Sequence, residues 1–177
     1  VKSSAGTPLT TAQIQAVVTG FLAGQTVNNL NIQVYQADPV TGQVKDSGAV
    51  IECDPLPTVR GDRAQLVQLM QNLIGNAVKY HGERPPHISI SARHTTEGCV
   101  VSVRDNGIGI PPEAREKVFE VFRRLHSASE YPGTGIGLAV CRRVVHRHDG
   151  TISVDAAPGG GCIFTFTLNV LQEAGVS

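Results

Sequence analysis

The sequence predicts a two-layer α/β sandwich, with a mixed, mostly antiparallel sheet and its helices on one face. Two observations lead there. Segments with apolar residues at helical spacing alternate with shorter, β-rich segments, in the order β-α-β-β-α-α-β-β. Two pairs of those strand segments follow each other directly, which argues against an all-parallel, doubly wound sheet.

The first strand is predicted over Ala49 to Cys53 and ends at Pro55 and Pro57. Asp62 then has the character of a helix N-cap, with Gln65 three residues on in the manner of a capping box. The helix from Asp62 to Tyr80 carries Leu66, Leu69, Met70, Leu73, Ile74, Ala77 and Val78 on one stripe. Strands over His87 to Arg93 and Cys99 to Arg104 form a hairpin through Thr95-Thr96-Glu97-Gly98. Pro111-Pro112 opens a helix over Glu113 to Leu125. Another runs from Gly135 to His148 and ends near Gly150. Strands over Thr151 to Asp155 and Cys162 to Asn169 flank a glycine-rich turn.

This firm pattern occupies residues 47–171, followed by a short tail over 172–177. Residues 1–46 differ, being rich in Thr, Gln, Asn and Gly. A helix capped by Thr10 or Thr11, a strand near Asn31 to Gln36 and a turn over Asp38 to Gly42 are predicted there, and no chemical motif. The segment is either an extension or an insertion.

Composition narrows the function classes. Lys and Arg number 15 and Asp and Glu number 15, so no net field argues for nucleic acid or an anionic membrane. No apolar run reaches the ~20 residues that cross a bilayer, and no signal peptide is visible. Cys53, Cys99, Cys141 and Cys162 each sit in an apolar run without a CxxC pair, as buried thiols of a reducing cytoplasm do.

Three motifs carry chemistry. Asn72, Asn76 and Lys79 share a second face of the helix over 62–80, where two amides and an ammonium can meet a hard cation and phosphate oxygens. Asp105-Asn106-Gly107-Ile108-Gly109-Ile110 follows a strand, placing a carboxylate beside glycines that let the backbone approach a flat ring. Gly133-Thr134-Gly135-Ile136-Gly137-Leu138 leads into a helix, where free N–H groups favour phosphate. It is neither a P-loop, since no Lys-Ser/Thr follows, nor the dinucleotide fingerprint.

Together these motifs resemble the histidine-kinase branch of the ATPase superfamily that includes gyrase and Hsp90. Gln71 to Tyr80 resembles the N box, Asp105 to Ile110 the G1 box, Val118 to Leu125 the F box and Gly133 to Leu138 the G2 box. Gly159-Gly160-Gly161-Cys162-Ile163-Phe164 is similar to the final glycine motif, and Arg124-Leu125-His126 with Glu130 to Gly135 is similar to phytochrome-type kinases.

The resemblance implies the Bergerat ATP-binding fold, with ATP and Mg²⁺ as cofactors. It implies Asn76 as the Mg²⁺ ligand and, with Arg124, a catalytic residue. Asn72, Lys79 and Tyr80 would line the phosphate and ribose region, and Asp105 would take the adenine amino group. Gly107, Gly109 and Ile110 would shape that pocket. Arg124 would reach the γ-phosphate from a lid over Pro111 to Pro132. Gly133, Thr134, Gly135, Gly137 and Leu138 would contact phosphates at the lid hinge.

Hydrolases of the superfamily place a Glu four residues before the metal-binding Asn; Asn72 stands there and cannot accept a proton. Transfer to a protein acceptor is therefore implied over hydrolysis. Cys162 stands where the family often carries Ser or Thr. None of the six histidines heads an acceptor helix, and only His148-Asp149 begins like one. The implied partners are a helical dimerisation and phosphoacceptor domain, as a missing segment or a separate protein, and a response-regulator receiver domain downstream. Two other readings share these boxes: an ATP-binding module that uses nucleotide as a switch, and a serine kinase of the anti-sigma-factor type.

Overall fold

A computed structural model of the chain describes residues 47–169, apart from 58, 60, 97, 124, 126–130, 132 and 133. The helix, strand and turn predicted over residues 1–46, the tail, Arg124, His126 and Gly133 lie outside the described residues.

Five strands form one sheet in the order β1-β2-β3-β5-β4: β1 (Val50–Cys53), β2 (His87–Thr95), β3 (Gly98–Asp105), β4 (Ile152–Ala156) and β5 (Cys162–Leu168). β1 pairs with β2 in parallel and every other pairing is antiparallel, so the sheet is mixed as predicted. Alternation fixes its faces. Cys99, Val101 and Val103 of β3 and Cys162, Phe164, Phe166 and Leu168 of β5 are buried against the helices. The intervening Ser102, Thr165 and Thr167 face the other way and are partly exposed.

Helix α1 (Arg63–Lys79) buries all seven residues of its predicted stripe. Removing such side chains from water contributes roughly 1.5–3 kcal/mol each. Asp62 caps it, its Oδ1 accepting from Gln65 N at 3.0 Å. The reciprocal half of the capping box is absent. Asp62 N donates instead to His148 Nε2 at 2.9 Å, and Gln65 Oε1 is buried without a partner among the described residues.

Helix α2 (Gly137–Arg147) starts two residues later than predicted and packs on α1 through Cys141, Val144 and Val145. It ends in a Schellman motif: Gly150 N donates to Val145 O, and Asp149 N to His146 O. The left-handed residue is Asp149, at φ 56°. Gly150 serves another purpose, because a Cβ there would run into the Thr167 carbonyl oxygen.

The predicted helix over Glu113 to Leu125 is the clear correction. Among its described residues only two 3-10 turns form, Pro112–Ala114 and Lys117–Phe119, burying Ala114, Val118 and Phe119. Phe119 meets Phe164 edge-on, with centroids 6.4 Å apart. Phe122 then takes φ 62°, a left-handed conformation that a bulky side chain rarely adopts, and the residue is 73% exposed. The apolar spacing was real, but of the described residues in this segment Val118 and Phe119 alone join the core cluster. Among the described residues no helix is long and apolar enough to cross a membrane.

Candidate nucleotide-binding site

The motif residues converge because three chain ends meet. β3 delivers Asp105 at its last position, α1 delivers Asn72, Asn76 and Lys79 near its C-terminal half, and α2 starts at Gly137. The loop after β3 is clamped to the end of α1, with Ile108 N donating to Tyr80 O at 3.0 Å. Gly107 permits this contact; a Cβ there would collide with the Tyr80 carbonyl and touch Asp105 Oδ1. At the other wall, α2 approaches α1 so closely that a Cβ on Gly137 would sit 3.3 Å from Asn72 Oδ1.

Between these walls lies a cavity of about 260 Å³. That is close to the lower end of small-molecule pockets, about 300–1,000 Å³. Asn72, Asn76, Lys79, Tyr80, Asp105, Gly109, Ile110, Thr134, Gly135, Gly137 and Leu138, all named as site candidates in the sequence, line it. Gly107 does not line it and acts behind Asp105. Ala77, Ile108, Val118, Arg123, Leu125, Cys162 and Phe164 also line it and were not singled out as site residues. Phe164 and Cys162 alternate inward on β5, so strand periodicity alone carried that signal. Arg123 carries a cation to the mouth, next to the predicted Arg124.

Asp105 is the one buried charged residue among those described, at 8% exposure. Its Oδ1 accepts from Gly107 N at 2.8 Å and from Cys162 N at 3.1 Å. Its Oδ2 has no hydrogen-bond partner among the described residues, on a side chain that lines the cavity. Burial pushes the carboxyl above its ordinary range, and the two amides oppose that shift. Asn106 faces elsewhere: its Oδ1 accepts from His87 N at 2.8 Å and its Nδ2 donates to Pro85 O at 3.0 Å, which pins the start of β2.

Lys79 Nζ donates to Tyr80 Oη at 3.0 Å and lies 4.6 Å from that ring's centroid. Tyr80 in turn packs on Tyr131, with centroids 5.0 Å apart. The Cys162 thiol, pushed up to about 12 by burial and then by the Asp105 charge, stays protonated and offers no nucleophile.

The sequence profile of the histidine kinase-, DNA gyrase B- and HSP90-like ATPases matches residues 61–172. The chain belongs to that family. Among curated relatives of this ATPase domain, cyanobacterial phytochrome A of Nostoc sp. is 46% identical over 128 residues, covering 72% of this chain and 17% of that protein. The adaptive-response sensory kinase SasA of Parasynechococcus marenigrum is 43% identical over 122 residues, covering 68% of this chain and 32% of that one. The chain thus spans a minor part of the curated relatives it matches. Full-length ShkA, solved in complex with AMPPNP, superposes with a TM-score of 0.63 at 30% identity, covering 76% of this chain and 28% of that chain. The catalytic domain of histidine kinase ThkA superposes with a TM-score of 0.62 at 28% identity, covering 73% of this chain and 84% of that domain. The ATPase domain is therefore of the sensor histidine kinase type, and it shares the fold of those structures.

Proposed function

We propose that this domain binds Mg-ATP in the cavity and donates the γ-phosphoryl group to a histidine on a helical acceptor domain. The carrying observation is Asp105. Two backbone amides hold Oδ1, which leaves Oδ2 as the acceptor for a base in the cavity that Asp105 lines. An exocyclic amine such as N6 of adenine supplies the matching donor. Ile108, Ile110, Leu138 and Phe164 offer apolar surface for the ring.

The opposite end suits a metal–triphosphate. No group of three or more His, Cys, Asp or Glu side chains able to hold a metal occurs among the described residues. A Mg²⁺ here would be held by the Asn76 amide oxygen, with the nucleotide's own phosphates and water completing its shell. Asn72, Lys79 and Tyr80 adjoin it. Gly135, at φ 70°, and Thr134 place backbone where phosphate oxygens need donors. The bound nucleotide supplies the phosphoryl group.

Transfer is favoured over hydrolysis because Asp105 is the only carboxylate on the cavity wall among the described residues, and it lies at the base end. Asn72 cannot take a proton from water. The protein's contribution to transfer is then position and charge neutralisation by Lys79, Arg123 and Arg124. Val121, Phe122 and Leu125 are exposed near the mouth, an apolar face that fits a helical acceptor. A response-regulator aspartate is the onward receiver in this scheme, and the reducing cytoplasm suits the four free thiols.

The test is radiolabelled ATP with a candidate helical acceptor, followed by acid treatment. Label that is transferred and then lost in acid is expected, as phosphohistidine is acid-labile. Acid-stable label indicates a serine kinase instead, and nucleotide binding with no label on any acceptor indicates a switch module. A companion prediction concerns Arg124→Ala. It is expected to slow transfer at least about tenfold while changing ADP affinity little, since a γ-phosphate contact is worth most as charge moves. Equal losses in a single-turnover assay and an ADP titration would remove Arg124 from that role.

A further inference from the structure

We propose that His148 is a positioning residue for the nucleotide site, acting as a strut that sets the axial register of α1 against α2. The inference rests on the nucleotide-binding reading above. His148 is the C-cap of α2, and both its ring nitrogens are engaged. Nε2 lies 2.9 Å from Asp62 N, and Nδ1 lies 2.8 Å from Val144 O. A backbone N–H can only donate, so Nε2 is the acceptor and Nδ1 carries the proton that Val144 O receives. The ring is thereby a neutral imidazole of one defined tautomer, bridging the end of one helix to the start of another 86 residues away.

Two neighbouring features show that this bridge is built in. Gly61 lies against the ring; a Cβ there would sit 2.7 Å from His148 Cδ2. Gln65, the residue placed to complete the capping box, is displaced from it, with Oε1 buried and unpartnered among the described residues. His148 therefore holds the donor that the local sequence would otherwise satisfy by itself, and the helix start is committed to α2 at the cost of a local bond.

The consequence for the site follows from helix geometry. α1 and α2 run antiparallel, touching at Asp62 with His148, at Leu69 O with Cys141 Sγ, and at Asn72 with Gly137. At 1.5 Å per residue the stretch from Asp62 to Asn72 spans about 15 Å and the stretch from Gly137 to His148 about 16.5 Å. The strut and the Asn72–Gly137 contact are thus the two ends of one matched interval. Slippage at His148 shifts Gly137 along Asn72, and the phosphate end of the cavity widens or closes with it.

The experiment compares wild type, His148→Ala and His148→Gln in the full chain, well below their melting temperatures. Mg-ATP affinity is read by calorimetry, and the Asp62 amide by hydrogen exchange. Gln retains an acceptor for Asp62 N, so it is expected to keep near-wild-type affinity, whereas Ala is expected to raise Kd about fivefold or more. Should the Ala protein not fold, wild type still decides: by reciprocity, saturating ATP must slow exchange at Asp62. ¹⁵N shifts of His148 are expected to report the Nδ1–H tautomer. An ATP-indifferent Asp62 amide, or a folded Ala variant with unchanged Kd, overturns the strut while leaving nucleotide binding intact. Wild-type protein that ignores ATP overturns the underlying reading and the strut together.

Discussion

The Gly161→Ala protein is expected to lose most of its nucleotide affinity and a large part of its stability. Gly161 has φ 90°, which an alanine adopts only under strain. The added Cβ would also collide with the Asp105 carbonyl oxygen and lie 2.7 Å from its Oδ1. Backbone strain costs about 1–3 kcal/mol and forced overpacking about 1–3 kcal/mol more. The cheapest relief is to push Asp105 aside, and that dismantles the acceptor proposed for the base. Gly160 provides the control. It has φ 105°, yet a Cβ there meets nothing within 4 Å. Gly160→Ala is expected to pay the conformational cost alone and to bind nucleotide as wild type does. Denaturant melts and ATP titrations of both variants read the difference; equal behaviour of the two would remove the Asp105 contact from the explanation.

Asp105→Asn is expected to weaken ATP binding by ~1–3 kcal/mol while leaving the nucleotide-free fold as stable as wild type, or more so at neutral pH. The two effects have opposite signs for one reason. The asparagine oxygen can still accept from Gly107 N and Cys162 N, but its amide nitrogen then meets the donor of the base. Stability moves the other way because burial raises the carboxyl's folded pKa. A raised carboxylate contributes stability that is present below its unfolded pKa and lost as pH rises through the folded value. At neutral pH the folded chain therefore carries the cost of a buried charge, and the Asn variant does not. In wild type, acidification through that raised pKa puts a proton on the acceptor. ATP affinity should consequently fall on acidification before a free aspartate would titrate. A calorimetric titration against pH, run beside melts of both proteins, checks both signs; tighter binding at lower pH would contradict the acceptor role.

Much of this was legible in the sequence, for physical reasons that can be named. Helix α1 carries its whole stripe at one period and its cap at the right offset, so both the element and the Asn72, Asn76 and Lys79 face could be read directly. Inward residues recur at every second position through β5 and through parts of β2 and β3, which exposed the hairpin and the mixed sheet. Residues 113–125 were misread because Val118, Phe119 and Phe122 have helical spacing, whereas Phe122 takes a left-handed turn and leaves its ring in solvent. The capping box was half right. Gln65 is placed correctly, but a tertiary partner from α2 took its donor, and no local signal reports a contact across 86 residues. Arg123 was passed over because the sequence offers two adjacent arginines and nothing local says which one faces a cavity. The motif glycines at 107 and 161 were legible as glycines; that both make room for Asp105 required the fold.

In the proposed site an Asp105 carboxylate oxygen reads an amino group on the base. Titrating the folded chain with Mg-ATP and with Mg-GTP tests it most directly, because guanine presents a carbonyl oxygen where adenine presents the amine. ATP binding that exceeds GTP binding by about tenfold or more is predicted, the scale of one unmatched polar contact. Equal affinities, or no heat with either nucleotide at millimolar concentration, would contradict it.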